Sequence, residues 1–441
     1  IVRILKQPGG YRVYEGWADS LSAYRISVSN PGSSADFVVK NDGNVGVSNS
    51  NPSYTLDVDG DINFTGDLRS GGSILNTGAS VDAFENFIVG TGTVAPSDTS
   101  GSDNGRNNII LGRYSGIYMT TGHNNVMMGD SSGKCITTAN YNVCIGQQSG
   151  RYISTGHYNV CIGSNAGYSI TTGGDNICMG MMAGKSITSG EYNICLGRQA
   201  GTAIKDGDEN ITMGHSSGFK ITTGIENICI GHCSGAAIST GKHNICIGDY
   251  IGYNDSLQAI TSDYNIGIGH KAMNKLTSGA NNVCMGKNAG NAITEANSCV
   301  CIGTQAGYRI TTGKENVCIG LYAGDSITTG TNHVMMGYGC GRSITTANYN
   351  VGIGNYCCGY ESGAEVTGDY NTFMGFSAGR SLTTGQYNVG MGYKAMRNVT
   401  TGSNNVCLGQ WTGGNITTAD HNVCFGEMAA YKLTSGANNV C

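Results

Sequence analysis

Proline is nearly missing, with four residues in 441, and charge is scarce: Asp, Glu, Lys and Arg make up 12% of the chain, about half the usual share. No stretch of about 18 apolar residues exists, so no helical membrane span is expected. No window carries a 3.6-residue apolar period, and the 71 glycines would each cost about 1 kcal/mol in a helix interior, so long helices are excluded. The glycines also lack the one-in-three spacing of a collagen triple helix. A disordered chain would need more charge and fewer β-branched residues. The net charge of −5 comes without any basic tract, which argues against a nucleic-acid partner. What remains is an all-β chain with very frequent turns.

The start, Ile1-Val2-Arg3-Ile4-Leu5-Lys6, is too short and too charged for a signal peptide. It opens on Ile rather than Met, and the last residues stop inside a repeating pattern, so the chain reads as an excerpt of a longer polypeptide.

That pattern decides the architecture. Asn-Val-Cys-Ile-Gly at 142–146 returns at 159–163 and, as Asn-Ile-Cys-Met-Gly, at 176–180. Twenty such starts run from Asn108 to Asn439, 17 residues apart except at 244–264 and 350–370, where the unit is 21 residues long. The unit reads Asn, Val/Ile, Cys, Ile/Met, Gly, two variable residues, Ala/Ser, Gly, two variable residues, Ile, Thr, Thr, Gly and two more variable residues. Repetition at this period is the mark of a solenoid. The fifth-position Gly is kept in every unit that reaches it, which predicts a backbone angle or close approach that forbids a Cβ. A short strand ends there, and the Ile column followed by Thr-Thr-Gly predicts a second, so each unit should fold as strand, turn, strand, turn. At about 4.8 Å per rung, twenty coils make a rod of roughly 95 Å.

Two columns invite a structural role. The first-position Asn (Asn142, Asn159, Asn176, Asn193 and their equivalents, with Cys299 and His333 as exceptions) suits a hydrogen-bonded ladder along the axis. The third position holds Cys144, Cys161, Cys178, Cys195, Cys229, Cys246, Cys284, Cys301, Cys318, Cys407, Cys424 and Cys441, on the face opposite the second and fourth. A strand apolar on both faces must be covered on both. With the second and fourth positions packed inside the coil, the Cys column becomes an interface for partner chains. In-register thiols lie about 4.8 Å apart at Cβ, beyond the roughly 3.8 Å a disulfide prefers, and no C-x-x-C pair suggests a metal. Reduced, buried cysteine fits assembly in a cytosol.

The Asn-Val-Cys-Ile-Gly-x-x-Ala-Gly unit, over 108–441, resembles the head repeats of trimeric autotransporter adhesins of the Yersinia type. That resemblance implies left-handed β-rolls packed as a parallel homotrimer. Upstream, Phe37 to Leu68, with Asn-Asp-Gly-Asn, Asp-Val-Asp-Gly-Asp and Asn-Phe-Thr-Gly-Asp, is similar to a segment recurrent in viral tail fibres and appendages, which often precedes a self-cleaving chaperone domain of the endosialidase type. The expected organisation is a small β module at 1–36, a fibre-type β segment at 37–87, a Gly/Ser/Thr linker at 88–107 and a solenoid at 108–441 that continues further.

Together the resemblances imply a structural fibre on a virion surface, assembled in the host cytoplasm and extracellular after release. Its expected partners are two further copies of itself, other virion proteins and a host glycan or protein receptor. No catalytic constellation, cofactor site or metal motif is found, and the 8 His are scattered mostly over variable positions. Binding has better candidates. Tyr precedes the Asn at 141, 158, 192, 264, 349, 370 and 387, and exposed aromatic rows can stack on sugars. The two insertions contribute Tyr253, Asn254 and Asp255, and Tyr360, Glu361 and Glu365, as receptor-contact loops on a rigid scaffold. The alternatives are a cellular adhesin of the trimeric autotransporter class and, more distantly, an ice-binding solenoid suggested by the Thr-Thr column, although adjacent Thr residues point to opposite faces.

Overall fold

The computed structural model describes residues 104–254, 258–360 and 365–441, together with the strands and a few connecting residues of 2–92. Two compact units, Ile1–Asn76 and Thr77–Cys441, divide the chain. In the first, β1 (Val2–Lys6), β2 (Arg12–Ala18), β3 (Ala23–Ser27), β4 (Phe37–Lys40) and β5 (Val45–Val47) pair antiparallel in sequence order, and β6 (Leu56–Val58) joins β5 in parallel. The β3–β4 pairing spans the join expected at residues 36 and 37. A short hairpin, β7 (Arg69–Ser70) with β8 (Ser73–Ile74), completes that unit.

The second unit is a parallel β-solenoid of about 18 coils. It opens with β9 (Ser80–Val81), antiparallel to β10 (Phe87–Val89). From β10 the parallel ladder runs through β11 (Ile109–Leu111) to β29 (Val423–Phe425), one three-residue strand per coil. Every pairing sets the second, third and fourth positions of one coil against the same positions of the next, as in Val143↔Val160, Cys144↔Cys161 and Ile145↔Ile162. No helix occurs among the described residues.

The expected second strand per coil is not formed. The Ile-Thr-Thr-Gly segment is a bend, because one carbonyl per coil gathers donors that a ladder would space evenly. Thr137 O accepts from Thr120 N at 3.0 Å, Gly122 N at 3.1 Å and Thr120 Oγ1 at 3.1 Å. Only at the two longer coils does this segment make isolated parallel bridges, Ile238↔Ile260 and Ile344↔Val366. Those bridges return each insertion to the common register.

The fifth-position glycines behave as the repeat predicts. From Gly112 to Gly426 all hold φ between +108° and +140°, a region essentially closed to other residues. Each but Gly426 also lies on the next coil's backbone: a Cβ on Gly129 would sit 2.6 Å from Gly146 O.

The facing of the strand is the reverse of the expected one. Cys144, Cys161, Cys178, Cys195, Cys229, Cys284, Cys301, Cys318, Cys407 and Cys424 are fully buried and Cys246 is 4% exposed, all by their own chain, packed toward the twelfth-position Ile column. They are therefore the interior of the coil and not a face awaiting a partner. The second and fourth positions point outward instead, where Met128, Met179, Met285 and Met391 are 37–40% exposed. Period-two alternation says which side chains share a face, but the coil's width decides which face turns inward. The middle residue of each three-residue strand turns into the coil, where Cys fills most rungs and Ile110, Met127, Thr212, Met335 and Phe373 fill others, all fully buried. All 18 cysteines are free thiols, and burial raises the thiol pKa values of Cys358 and Cys407.

Interior volume is held by a pair of positions. In most coils the ninth-position Gly, at φ of about +55°, lies against the third-position side chain of its own coil, as Gly150 does against Cys144 Sγ and Gly201 against Cys195 Sγ. Three coils reverse the pair: Gly267 with Met273, Gly352 with Cys358 and Gly390 with Met396. A Cβ on Gly267 would meet Met273 Cε at 2.8 Å, and one on Gly352 would meet Cys358 Cβ at 2.9 Å. In the same three coils the twelfth position is Leu276, Val366 or Val399 rather than Ile, which removes the Ile Cδ1 that elsewhere touches the ninth Gly.

Candidate functional site

The Asn column lies inside the coil and carries the axial hydrogen bonding. The Oδ1 of Asn142 accepts from the backbone N of Asn159 at 2.9 Å and from its Nδ2 at 3.1 Å, while Asn142 Nδ2 donates to Gly156 O at 3.0 Å. The same contacts link Asn159 to Asn176 and Asn176 to Asn193. Each carboxamide therefore satisfies a buried backbone N–H of the next rung, and a missing partner would cost about 1–3 kcal/mol. At His333 an imidazole takes both roles: Nδ1 accepts from Asn350 N at 3.2 Å and Nε2 donates to Ala347 O at 2.7 Å. These partners require the neutral Nε2–H tautomer, and burial takes the His333 pKa down to about 4. Cys299 puts a thiol in this place, a weak donor to Gly313 O at 3.3 Å. The column is structural scaffolding and offers no reactive group to a ligand.

The seven tyrosines that precede a column Asn are exposed, and most of them stack on an aromatic ring of a neighbouring coil. Tyr141 and Tyr158 have ring centroids 5.1 Å apart at 8°, and Tyr349, Tyr370 and Tyr387 continue a row at 4.9 and 5.0 Å. Each of these residues holds a positive φ near 60°, which turns its ring out beside the apolar second-position column. Tyr192 and Glu209 with Ile194 and Ile211 line one of the resulting grooves.

Of the insertion residues, Asp255 and Glu361 lie outside the described residues. Asn254 is 4% exposed and its N donates to Asn274 O at 2.8 Å, so it is part of the scaffold. Tyr253 is half-buried, edge-on to Tyr250 at 5.0 Å, and Glu365 is exposed. Tyr360 packs at 4.5 Å on Tyr356 and takes the space left by Gly339, which has no Cβ. The insertions thus do not converge on one site. Asn210, within a glycosylation sequon, is fully buried in the ladder.

Tyr360 belongs to a recess whose other members the sequence reading does not single out. A cavity of about 340 Å³ is lined by Tyr356, Tyr360, Phe376, Ser377, Arg380, Lys394 and Arg397. Arg380 lies 5.5 Å from the Tyr360 ring centre, and Lys394 Nζ lies 4.8 Å from that of Tyr393 and 4.4 Å from that of Trp411. Arg380, Lys394 and Arg397 among these aromatic faces suit a flat or acidic ligand such as a carboxylated sugar. The signal available in the sequence is that these residues share the sixth, seventh, tenth and eleventh positions of successive units, which parallel stacking brings side by side.

The same stacking gathers histidines that look scattered along the chain: His215, His232 and His270 all occupy the sixth position. In most coils the first Thr of the pair donates its hydroxyl to a carbonyl one coil on, as Thr171 Oγ1 does to Thr188 O at 3.1 Å. Comparison with protein-family models, with curated proteins and with solved structures gave no match.

Proposed function

We propose that this chain is a structural fibre protein of a virion, a tail fibre or capsid appendage, in which two further copies cover its outward apolar face and the resulting rod supports host attachment. The observation that carries the reading is the stripe of second- and fourth-position side chains, Val or Ile beside Ile, Met or Leu, left half-exposed on coil after coil. At about 3.3 Å per residue and 4.8 Å per rung, a strand three residues wide gives a face on the order of 900 Å², comparable to one side of a standard protein interface. Its ridges repeat at the strand spacing, so the surface that meshes with it along its whole length is another parallel β-solenoid. A count of three, and a place on a virus particle, follow the resemblances noted above. The recess around Tyr360 and Arg380 is the proposed point of contact with an acidic host glycan.

Light scattering on the intact chain tests the assembly, with three chain masses expected and a stable monomer at micromolar concentration overturning it. Immunogold labelling of purified particles tests the location, and label confined to a cell envelope would favour the cellular adhesin.

A further inference from the structure

The sixth position runs down the outer surface as Arg198, His215, His232, Asp249 and His270, one residue per coil. The His215 and His232 rings stack at 5.3 Å and 16°. His232 Nδ1 lies 3.0 Å from Asp249 Oδ1, and His270 Nδ1 lies 3.4 Å from the other oxygen of the same carboxylate. Cys233, 9% exposed and in the left-handed region at φ 52°, brings its Sγ to 3.5 Å from His232 Nε2. One ring nitrogen of His215, one of His232 and the Cys233 sulfur all lie within 4.8 Å of one another.

We propose that His215, His232 and Cys233 form a binding site for a divalent transition-metal ion of the zinc type, with Asp249 as a positioning residue. Beyond the fibre reading, this gives one stretch of the rod wall a chemistry of its own.

Three features support it. Asp249 accepts from His232 Nδ1–H, which leaves the Nε2 lone pair free on the side of the thiol, the usual arrangement behind a metal-bound imidazole. Two donors held by one tetrahedral zinc at about 2.1 Å and 2.3 Å are about 3.5 Å apart, the separation of His232 Nε2 and Cys233 Sγ. Two imidazoles and one thiolate make a borderline-soft set that suits Zn²⁺ or Co²⁺ and leaves a fourth position for water or a ligand from a partner.

Two groups oppose binding. Arg198 Nη2 sits 2.7 Å from His215 Nε2 and must yield or leave His215 to bind through Nδ1. Desolvation, then the Asp249 charge, raises the Cys233 pKa, so the metal must displace a proton and affinity falls as pH falls.

Titration of the reduced, intact chain with Co²⁺ tests the site. One equivalent bound, with a thiolate-to-cobalt charge-transfer band in the near ultraviolet, is the expected result. Cys233→Ser should abolish the band, and Asp249→Asn should weaken Zn²⁺ competition about 10- to 100-fold. Arg198→Gln should tighten it. His232→Gln, at a surface position, gives a second loss-of-site variant with little risk to folding, and circular dichroism monitors the fold throughout. No cobalt bound at micromolar concentration, or a band that persists in both Cys233→Ser and His232→Gln, overturns the proposal.

Discussion

The coil that starts at Asn142 and the coil that starts at Asn388 enclose similar space with opposite residues. The first places Cys144 on its strand and Gly150 at the turn, and the second places Gly390 on its strand and Met396 at the turn. Side-chain volume has moved across the interior while the backbone register is kept, and Met396 accepts φ of +47° where Gly150 has +55°. The ninth position can be exchanged because its obstacle is a side chain that can shrink. The fifth position cannot, because its obstacle is backbone: every fifth residue from Gly112 to Gly426 is Gly, and each but the last has the next coil's peptide within about 3 Å of a virtual Cβ.

Four measurements would break or sharpen this contrast. The largest effect is expected for Gly163→Ala, where φ is +125° and a Cβ would lie 2.8 Å from Gly180 C. A loss on the order of 4 kcal/mol is expected, read by chemical denaturation, and no side-chain change should rescue it. Next, Gly150→Met beside an unchanged Cys144 should cost roughly 3 kcal/mol by overpacking. Adding Cys144→Gly and Ile153→Val, which copies the Asn388 coil, should recover most of that loss. A double-mutant cycle with no coupling between positions 144 and 150 would refute the volume exchange.

The third test sets the His333 coil against its Asn neighbours. His333 gains a proton near pH 4 when folded and near pH 6.5 when unfolded. Between those values the unfolded chain binds more protons, so stability is complete above about pH 6.5 and falls as pH drops toward 4, by at most about 3 kcal/mol. His333→Asn should remove this part of the acid sensitivity, as read from denaturation midpoints across that range. Smallest is the repair of the ladder at Cys299→Asn, which supplies the Oδ1 that Asn316 lacks and should add about 1 kcal/mol.

Much of the solenoid was legible in the sequence, and the reason differs by residue. The 17-residue return of Asn and Gly announces stacking directly, since a repeat that cannot bury its own apolar face must bury it on its neighbour. The fifth Gly announces a left-handed backbone because no other residue accepts that angle. The second strand expected from the Ile column is absent because Ile136 is apolar for burial alone, while Thr137 O collects its donors in a bend. The surface recess and the His215–His232–Cys233 group were harder to see. Their members come from two or three successive coils, at positions the repeat leaves variable. Only alignment by position, the sixth and its neighbours, recovers them.

By itself, then, the sequence determined the pitch, the all-β class and the columns, because these follow from periodicity and from what Gly and Asn can do locally. Which column faces inward was decided by the tertiary structure. A coil closed by turns at the fifth, seventh, ninth and seventeenth positions leaves a narrow interior, and its width admits Cys144 and Ile153 but turns Val143 and Ile145 outward. The interior is therefore complete within one chain, and the outward face keeps its apolar side chains half-exposed.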